Sequence, residues 1–404
     1  MAEYAYKALD VQGQSRTGVI DAETEAHVIA SLRDQGWVPL KVDAPDRNPL
    51  KASIRLPGLD RISLKDVAVG SRQLATMIDA GLPLMRALTV LAEQTESRRL
   101  SETWEAVRDD VQAGSTFSAA LAKHPKAFTK LYVAVVRAGE AGGALDDVLL
   151  RLADTLEKQV NLRNKIRSAM TYPTMVAIMV FAILTAMLVF IVPTFKQLYA
   201  DLGGTLPLQT RLLIGASDLV RRFFLIIVPL MIAGGYFLKR YINTDGGRRN
   251  WDYLKLRVPI FGELFRKVAM SRMSRTLGTL LRSGVPVLQS LEITRETTGN
   301  RIVAEAIQDV EDAVRQGESL ARPLQKHKVI PPMVVQMLAV GEETGNVDTM
   351  LEKVAAFYDS EVDAMVDALT SLIEPILIAF LGGVVGGILI SLYLPMFKLV
   401  DLIQ

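Results

Sequence analysis

Apolar residues recur at the spacing of one helical face along 64–80, 83–94, 102–113, 115–123, 128–138 and 145–167, which predicts six amphipathic helices packed as a bundle. Gly81 can take the left-handed conformation that ends a helix, and Pro83 suits the first turn of the next. Gly114-Ser115 closes another helix and offers a cap to its successor. The sixth helix carries no stop signal before the long apolar run that follows, so the two are expected to form one continuous rod. The opening of the chain is patterned differently. YAYKALD and RTGVIDA flank Gln12-Gly13 as a hairpin, TEAHVIASLRDQG is an amphipathic helix ended by Gly36, and WVPLKV reads as a third strand. A small ββαβ domain is predicted over 1–45, followed by a linker at 46–61 with Pro49, Pro57 and Gly58.

Three stretches lose their polar face altogether. Residues 168–195 are uncharged throughout and exceed the roughly 20 residues that a helix needs to cross a bilayer. A second span is read at 219–240, where the uncharged run Phe223 to Leu238 lies between Arg221-Arg222 and Lys239-Arg240. Long basic side chains at both ends can reach the headgroups and so lengthen a short span. The third span, at 371–397, contains the glycine-rich run Pro375 to Phe397. Basic residues crowd the flank before the first span (Arg151, Lys158, Arg163, Lys165, Arg167) and the flank after the second (Lys239, Arg240, Arg248, Arg249, Lys255, Arg257). The loop between them, 196–218, has only Lys196 and Arg211, so it is expected outside the inner face of the membrane, with the tail at 398–404 on the same side. Residues 1–50 have no apolar core of signal-peptide length, so the N-terminus is expected in the cytoplasm.

Composition agrees with a membrane protein and removes most enzymatic chemistry. Half the 404 residues are hydrophobic, 22% are charged and the mean hydropathy is +0.24. Lys plus Arg (46) nearly cancels Asp plus Glu (44), which leaves no electrostatic case for nucleic acid. There is no cysteine, and the three histidines (His27, His124, His327) stand alone in their segments, so thiolate and ordinary zinc sites are excluded. No Ser–His–Asp arrangement or paired-carboxylate site stands out, and no enzyme is expected.

The chain repeats itself. RQLATMIDAGLPLMRALTVLAEQT (72–95) aligns with RTLGTLLRSGVPVLQSLEITRETT (275–298), and Gly114, Leu121 and Lys123 align with Gly317, Leu324 and Lys326 at the same offset. After one deletion GEAGGALDDVL (139–149) aligns with GEETGNVDTML (341–351). The new offset then holds into the apolar runs, where Pro173, Pro193 and Phe195 match Pro375, Pro395 and Phe397. The expected architecture is therefore a mainly α integral membrane protein. It comprises two duplicated cytoplasmic helical bundles (62–167 and 241–370), three transmembrane helices and the small N-terminal α+β unit.

Candidate functional residues follow the duplication. Gly139, Glu140 and Gly143 recur as Gly341, Glu342 and Gly345. A phosphate loop would need a preceding strand and a Gly-Lys-Ser/Thr, which neither copy has, so an interhelical turn is the reading, with Asp146 and Asp348 near the next helix start. Glu140 and Glu342 either hold the turn by hydrogen bonding to backbone amides or form part of a partner surface. Glu374, at the mouth of the third span, is either interfacial or turned to a protein contact. Gly382-Gly383 and Gly386-Gly387 make overlapping GxxxG patterns that mark a close helix–helix contact. His124 and His327 read as helix-terminal residues.

These paired motifs, G-x-P and GE-x-x-G-x-[LV]-D, each leading into a proline-started span, resemble the type II secretion system protein F family, which is related to the platform proteins of type IV pili. The opening YAYKALDVQGQSRTGVIDA…LRDQGWVPL resembles the amino end of the secretion branch. The resemblance covers nearly the whole chain. It implies an inner-membrane platform that supports pseudopilus assembly and export of folded proteins. The implied partners are the cytoplasmic secretion ATPase, the bitopic inner-membrane secretion subunits, the major pseudopilin, membrane lipid and further copies of the chain. It also implies a possible calcium site whose ligand positions match Glu96, Leu150 and Asp154; an apolar leucine cannot ligate a hard cation. Rival readings are a type IV pilus assembly platform and a small-solute transporter, although the latter generally has more spans and polar, broken helices.

Overall fold

A computed structural model describes residues 2–9, 15–22, 25–34, 36–43, 62–201 and 207–403, and it falls into two units, Met1–Arg61 and Ile62–Gln404. The linker read at 46–61 and the Gln12-Gly13 turn lie outside the described residues. In the first unit, strands β1 (Ala2–Leu9) and β2 (Ser15–Ala22) are followed by helix α1 (Glu25–Asp34) and strand β3 (Val38–Asp43). The sheet order is β2-β1-β3 and both pairings are antiparallel, with a register shift between Lys7 and Ala8 opposite β3. Val28 and Leu32, four residues apart on α1, are fully buried with Ala22, which fixes one face of the helix on this small sheet.

The second unit is helical. Its first bundle runs through α2 (Leu64–Asp79), α3 (Leu84–Gln94), α4 (Arg98–Gln112), α5 (Phe117–Ala122), α6 (Lys130–Gly142) and α7 (Leu145–Ala186). The rod continues past α7 through a π-helical turn at Met187–Ile191 into α8 (Val192–Asp201). Next come α9 (Leu208–Ile242) and α10 (Asp245–Arg257). The second bundle follows as α11 (Phe261–Arg282), α12 (Val287–Thr297), α13 (Arg301–Arg315), α14 (Ala321–Leu324), α15 (Pro332–Thr344) and the 57-residue α16 (Val347–Ile403). The segment 196–218, expected as a loop, is helical on both sides of residues 202–206, because a few polar residues do not interrupt helix formation.

The two bundles turn at matching places. Gly81 and Gly284 sit at φ +82° and +81°, and Gly143 and Gly345 at +69° and +70°, where any side chain would be strained. A Ser63–Asp66 capping box starts α2, and Thr116 and Thr129 cap α5 and α6. The fillings differ. The first core holds Trp104, Phe117, Phe128 and Tyr132, with Trp104–Phe128 and Phe128–Tyr132 ring centroids 4.9 Å apart. The repeat-equivalent positions in the second are the aliphatic Ile307, Leu320, Ile330 and Val334, all buried. The bundles also share a core, since Leu280 of α11, Val285 of the turn that follows and Ile293 of α12 join the first cluster. Thr155 and Thr279 hydroxyls meet at 3.1 Å, and the Arg151 guanidinium donates to the Arg282 carbonyl at 3.0 Å across the same seam.

Among the described residues two helices are long and apolar enough to cross a membrane, Leu145–Leu198 and Val347–Pro395. Only 17% and 11% of their most apolar windows are buried, whereas the core helix of a soluble protein would be mostly covered. Met175, Phe190, Ile376 and Ile378 point outward, so these surfaces are suited to lipid.

Candidate functional site

The duplicated glycine–glutamate turn joins α6 to α7 and α15 to α16, and each of its residues has a mechanical task. A Cβ on Gly139 would come within 2.1 Å of Val148 Cγ2, and one on Gly341 within 2.9 Å of the Val347 Cα, so glycine permits the two helices to close on each other. The Glu140 carboxylate accepts the Phe117 amide at 2.7 Å, the Ser118 amide at 3.1 Å and the Ser118 hydroxyl at 2.7 Å. In the second copy Glu342 accepts the Leu320 amide and, at 3.2 Å, the Ala321 amide. Both carboxylates thus satisfy the free N–H groups at the start of a very short helix, where a negative charge is also favoured by the helix dipole. Gly143 and Gly345 end the preceding helix in the left-handed conformation. Of the two readings open for this glutamate, hydrogen bonding to backbone amides is present in both copies, with the amides supplied by the helix start 21 to 23 residues earlier.

A second duplicated device ties the first helix of each bundle to the last. The Arg72 guanidinium donates to Glu157 at 2.7 Å through two nitrogens and also pairs with Asp154; its repeat counterpart Arg275 pairs with Asp359, the counterpart of Glu157. Hydrogen bonding to Glu157 first, then to Asp154, raises the Arg72 pKa, and the Glu157 carboxyl is held below its ordinary range chiefly by Arg72. Burial pushes the Tyr132 hydroxyl up to about 12; it is hydrogen-bonded to Ser71 at 3.1 Å.

The residues at the calcium positions do not suit that ion. Asp154 is engaged by Arg72, Leu150 packs against the apolar core, and Glu96 sits exposed between α3 and α4. Among the described residues no three acidic or histidine side chains form a metal-holding group. His327 lies 2.8 Å from Asp309 through Nε2, beside the end of α14, and so acts as a local pairing residue.

In α16, Glu374 is exposed, and nothing lies within 4 Å of where a Cβ would stand on Gly382, Gly383, Gly386 or Gly387. Their flat face is not packed by any described part of this chain.

One arrangement had no signal in the sequence. Pro193 and Pro395 lack the N–H that would bond a carbonyl one turn earlier. Along α16 the carbonyl freed by Pro395 is that of Ser391, four residues back, and Thr210 of α9 donates its hydroxyl to it at 2.5 Å. In the first rod the π-helical turn shifts the pairing by one residue, so the carbonyl freed by Pro193 is that of Leu188, and the Ser217 hydroxyl of α9 donates to it. Met187, Val192, Ile214, Ile388 and Leu392 are buried around these bonds, and Lys196 pairs with Asp218 at 2.7 Å. The beginning of α9 is a crossbar that completes the backbone of both proline-bent rods.

These features define a class: a duplicated helical protein of the membrane whose charged groups serve joints between helices. The chain belongs to the type II secretion system protein F family. It matches the family described as Type II secretion system (T2SS), protein F twice, over residues 71–193 and 273–395, and the N-terminal domain of the same protein over 1–43. It is 48% identical over 402 residues to the type IV pilus assembly protein PilC of Thermus thermophilus, covering 99% of this chain and 98% of that one. A protein of the same name from Myxococcus xanthus is 42% identical, with 100% and 96% covered. The type II secretion system protein F of Pseudomonas aeruginosa is 36% identical, with both chains covered in full.

Proposed function

We propose that this chain is the inner-membrane platform of a type II secretion system, supporting pseudopilus assembly and the export of folded proteins. The observation that carries this reading is the double match of both halves to one family, together with end-to-end similarity to relatives of that name. It has no catalytic role of its own in this reading. Work is supplied by the cytoplasmic secretion ATPase and delivered to the major pseudopilin, with the bitopic inner-membrane subunits holding the ATPase to the platform. The two bundles are the surfaces offered to the ATPase, and the long rods α7 and α16 carry their movement into the bilayer. No cofactor is required, and the donor set at Glu96, Leu150 and Asp154 supports none.

The proposed topology has three spans, N-terminus in the cytoplasm and C-terminus in the periplasm. Support for the middle span comes from α9, where Ile226, Leu230, Met231, Ile232 and Phe237 all face outward. Basic residues flank the cytoplasmic sides. The unpacked glycine face of α16 fits a second copy of the chain or a partner helix.

A type IV pilus platform is the second reading, favoured by the 48% and 42% identities to proteins of that name. Deletion with complementation separates the two. The secretion reading expects exported proteins to accumulate folded in the periplasm while pili persist; loss of surface pili with secretion intact assigns the pilus branch. Transport of a small solute into proteoliposomes by this chain alone would overturn both.

A further inference from the structure

Between α7 and α11 lies a cavity of about 310 Å³ lined by four arginines, Arg163 and Arg167 from one helix and Arg272 and Arg275 from the other, with the tip of Arg272 lying against Gly299. No acidic side chain lines it. Two carboxylates of α16 are already taken, since Asp359 accepts from Arg275 and Ser271, and Asp363 pairs with Lys165 at 2.8 Å. Among the described residues Arg163, Arg167 and Arg272 make no ion pair. Protonation of Arg272 is disfavoured first by burial and then by the charge of Arg163.

Topology alone does not account for the cluster. Arg163 and Arg167 belong to the flank that orients the first span, but Arg272 and Arg275 come from a bundle helix far along the chain with no such duty. Nor does the duplication explain it. Arg163, Arg167 and Arg272 stand opposite Met365, Leu369 and Val69 in the repeat, so the cluster exists in one half only. The apolar part of the wall is Leu162, Ile166, Met170 and Val268. Met170 lies just inside the apolar run of α7, so charge and grease meet where the rod enters the bilayer.

We propose that this cavity seats an anionic phospholipid, its phosphate among Arg163, Arg167 and Arg272 and an acyl chain along Ile166 and Met170. Arginine suits phosphate because its planar fork can donate two hydrogen bonds at once. Basic pockets beside membrane helices on the cytoplasmic side are a recurrent form of lipid recognition. A bound headgroup would bridge α7 to α11, and so join the two bundles at the membrane surface. The inference rests on reading α7 as entering the bilayer near Met170.

The test is native mass spectrometry of the full chain in a non-ionic detergent, titrated with equal amounts of phosphatidylglycerol and phosphatidylethanolamine, with a third arm containing excess inorganic phosphate. Retention of phosphatidylglycerol over phosphatidylethanolamine by about tenfold is expected. Arg163→Gln with Arg272→Gln should bring the two lipids close to parity, while Arg86→Gln with Lys126→Gln, which removes equal charge from exposed positions outside the cavity, should preserve the preference. If the first pair fails to fold, Arg163→Gln with Arg167→Gln, both exposed, carries the test. Equal retention of the two lipids, or equal effects of the two charge-removing pairs, overturns the proposal. Displacement of phosphatidylglycerol by inorganic phosphate also overturns it and marks a site for a soluble phosphate. A chain that needs detergent to stay in solution yet retains neither lipid refutes the site alone and leaves the membrane reading standing.

Discussion

Glu140 reaches back from the end of α6 to the Phe117 amide that opens α5, a 2.7 Å bond spanning 23 positions of the chain. Through it the turn before α7 and the shortest helix of the bundle are held as one joint, and Glu342 repeats the arrangement with Leu320. A carboxylate on two backbone amides is a charge-assisted contact, stronger than a neutral one.

Removing that charge should therefore unsettle the joint. Glu140→Gln or Glu342→Gln is expected to cost about 1–3 kcal/mol, because the amide offers one acceptor oxygen where two amides wait. Thermal melting of the purified chain checks this. A folded variant of unchanged stability that has lost ATPase binding would instead assign the glutamate to a partner surface.

Gly139 should tolerate no side chain unless its neighbour gives way. Gly139→Ala places a Cβ against Val148 and should cost about 1–3 kcal/mol by overpacking. Val148→Ala in the same chain should recover part of that loss. Denaturant midpoints of the two single variants and the double variant measure the coupling, and strict additivity would disprove the clash.

The Arg72–Glu157 pair makes stability depend on pH in one direction. Because Arg72 holds the Glu157 carboxyl below its ordinary pKa, the folded state binds the proton less readily than the unfolded chain. The contribution is complete above the ordinary glutamate range and is lost as pH falls through the lowered value. Both side chains are partly exposed, so the effect should be modest and weakened by salt. Glu157→Gln should flatten this part of the acid limb in stability measured against pH, and an unchanged limb would rule the pair out as its source.

At the crossbar, Ser217→Ala and Thr210→Val each leave a carbonyl without a donor. A loss of about 1 kcal/mol apiece is expected for a hydroxyl contact of this kind. Pro193→Ala should partly rescue Ser217→Ala, since it restores the missing backbone N–H. Unfolding in mixed micelles reads the difference, and failure of rescue would show that the proline is not what frees the Leu188 carbonyl.

Orientation is open to a direct check in this cysteine-free chain. A cysteine at Gln209 should react with an impermeant probe from the periplasmic side, and one at Gln112 or Gln316 only after the inner membrane is opened. Outside labelling at Gln316 would reverse the proposed topology.

Helices of the first bundle could be read within a few residues because their signals are local. Apolar spacing marks the buried face, and Gly81, Gly114 and Gly143 end helices wherever they stand. The duplication showed that the glycine–glutamate turn mattered, but only the coordinates show that Glu140 binds Phe117, because a carboxylate's partner lies in another segment. The replacement of Trp104, Phe128 and Tyr132 by Ile307, Ile330 and Val334 was visible in the letters. Its meaning was not, since shared volume within a core is a property of several helices together. Ser217 and Thr210 carry no local signal either. Their acceptors lie 29 and 181 positions away, and a hydroxyl in an apolar helix ordinarily bonds its own backbone.

The crossbar also constrains how such a chain can be divided. Each half-chain brings a proline that leaves one carbonyl unanswered, and neither half supplies its own donor; Ser217 and Thr210 both sit on the single connecting helix α9. Expressed as separate polypeptides, the half without α9 would carry a bare carbonyl at its bend. The half with α9 would hold a hydroxyl facing nothing. A gene split between Leu188 and Thr210, or between Ser217 and Ser391, therefore yields two fragments that must find each other to finish their backbones, whereas an undivided gene delivers the donors with the chain itself.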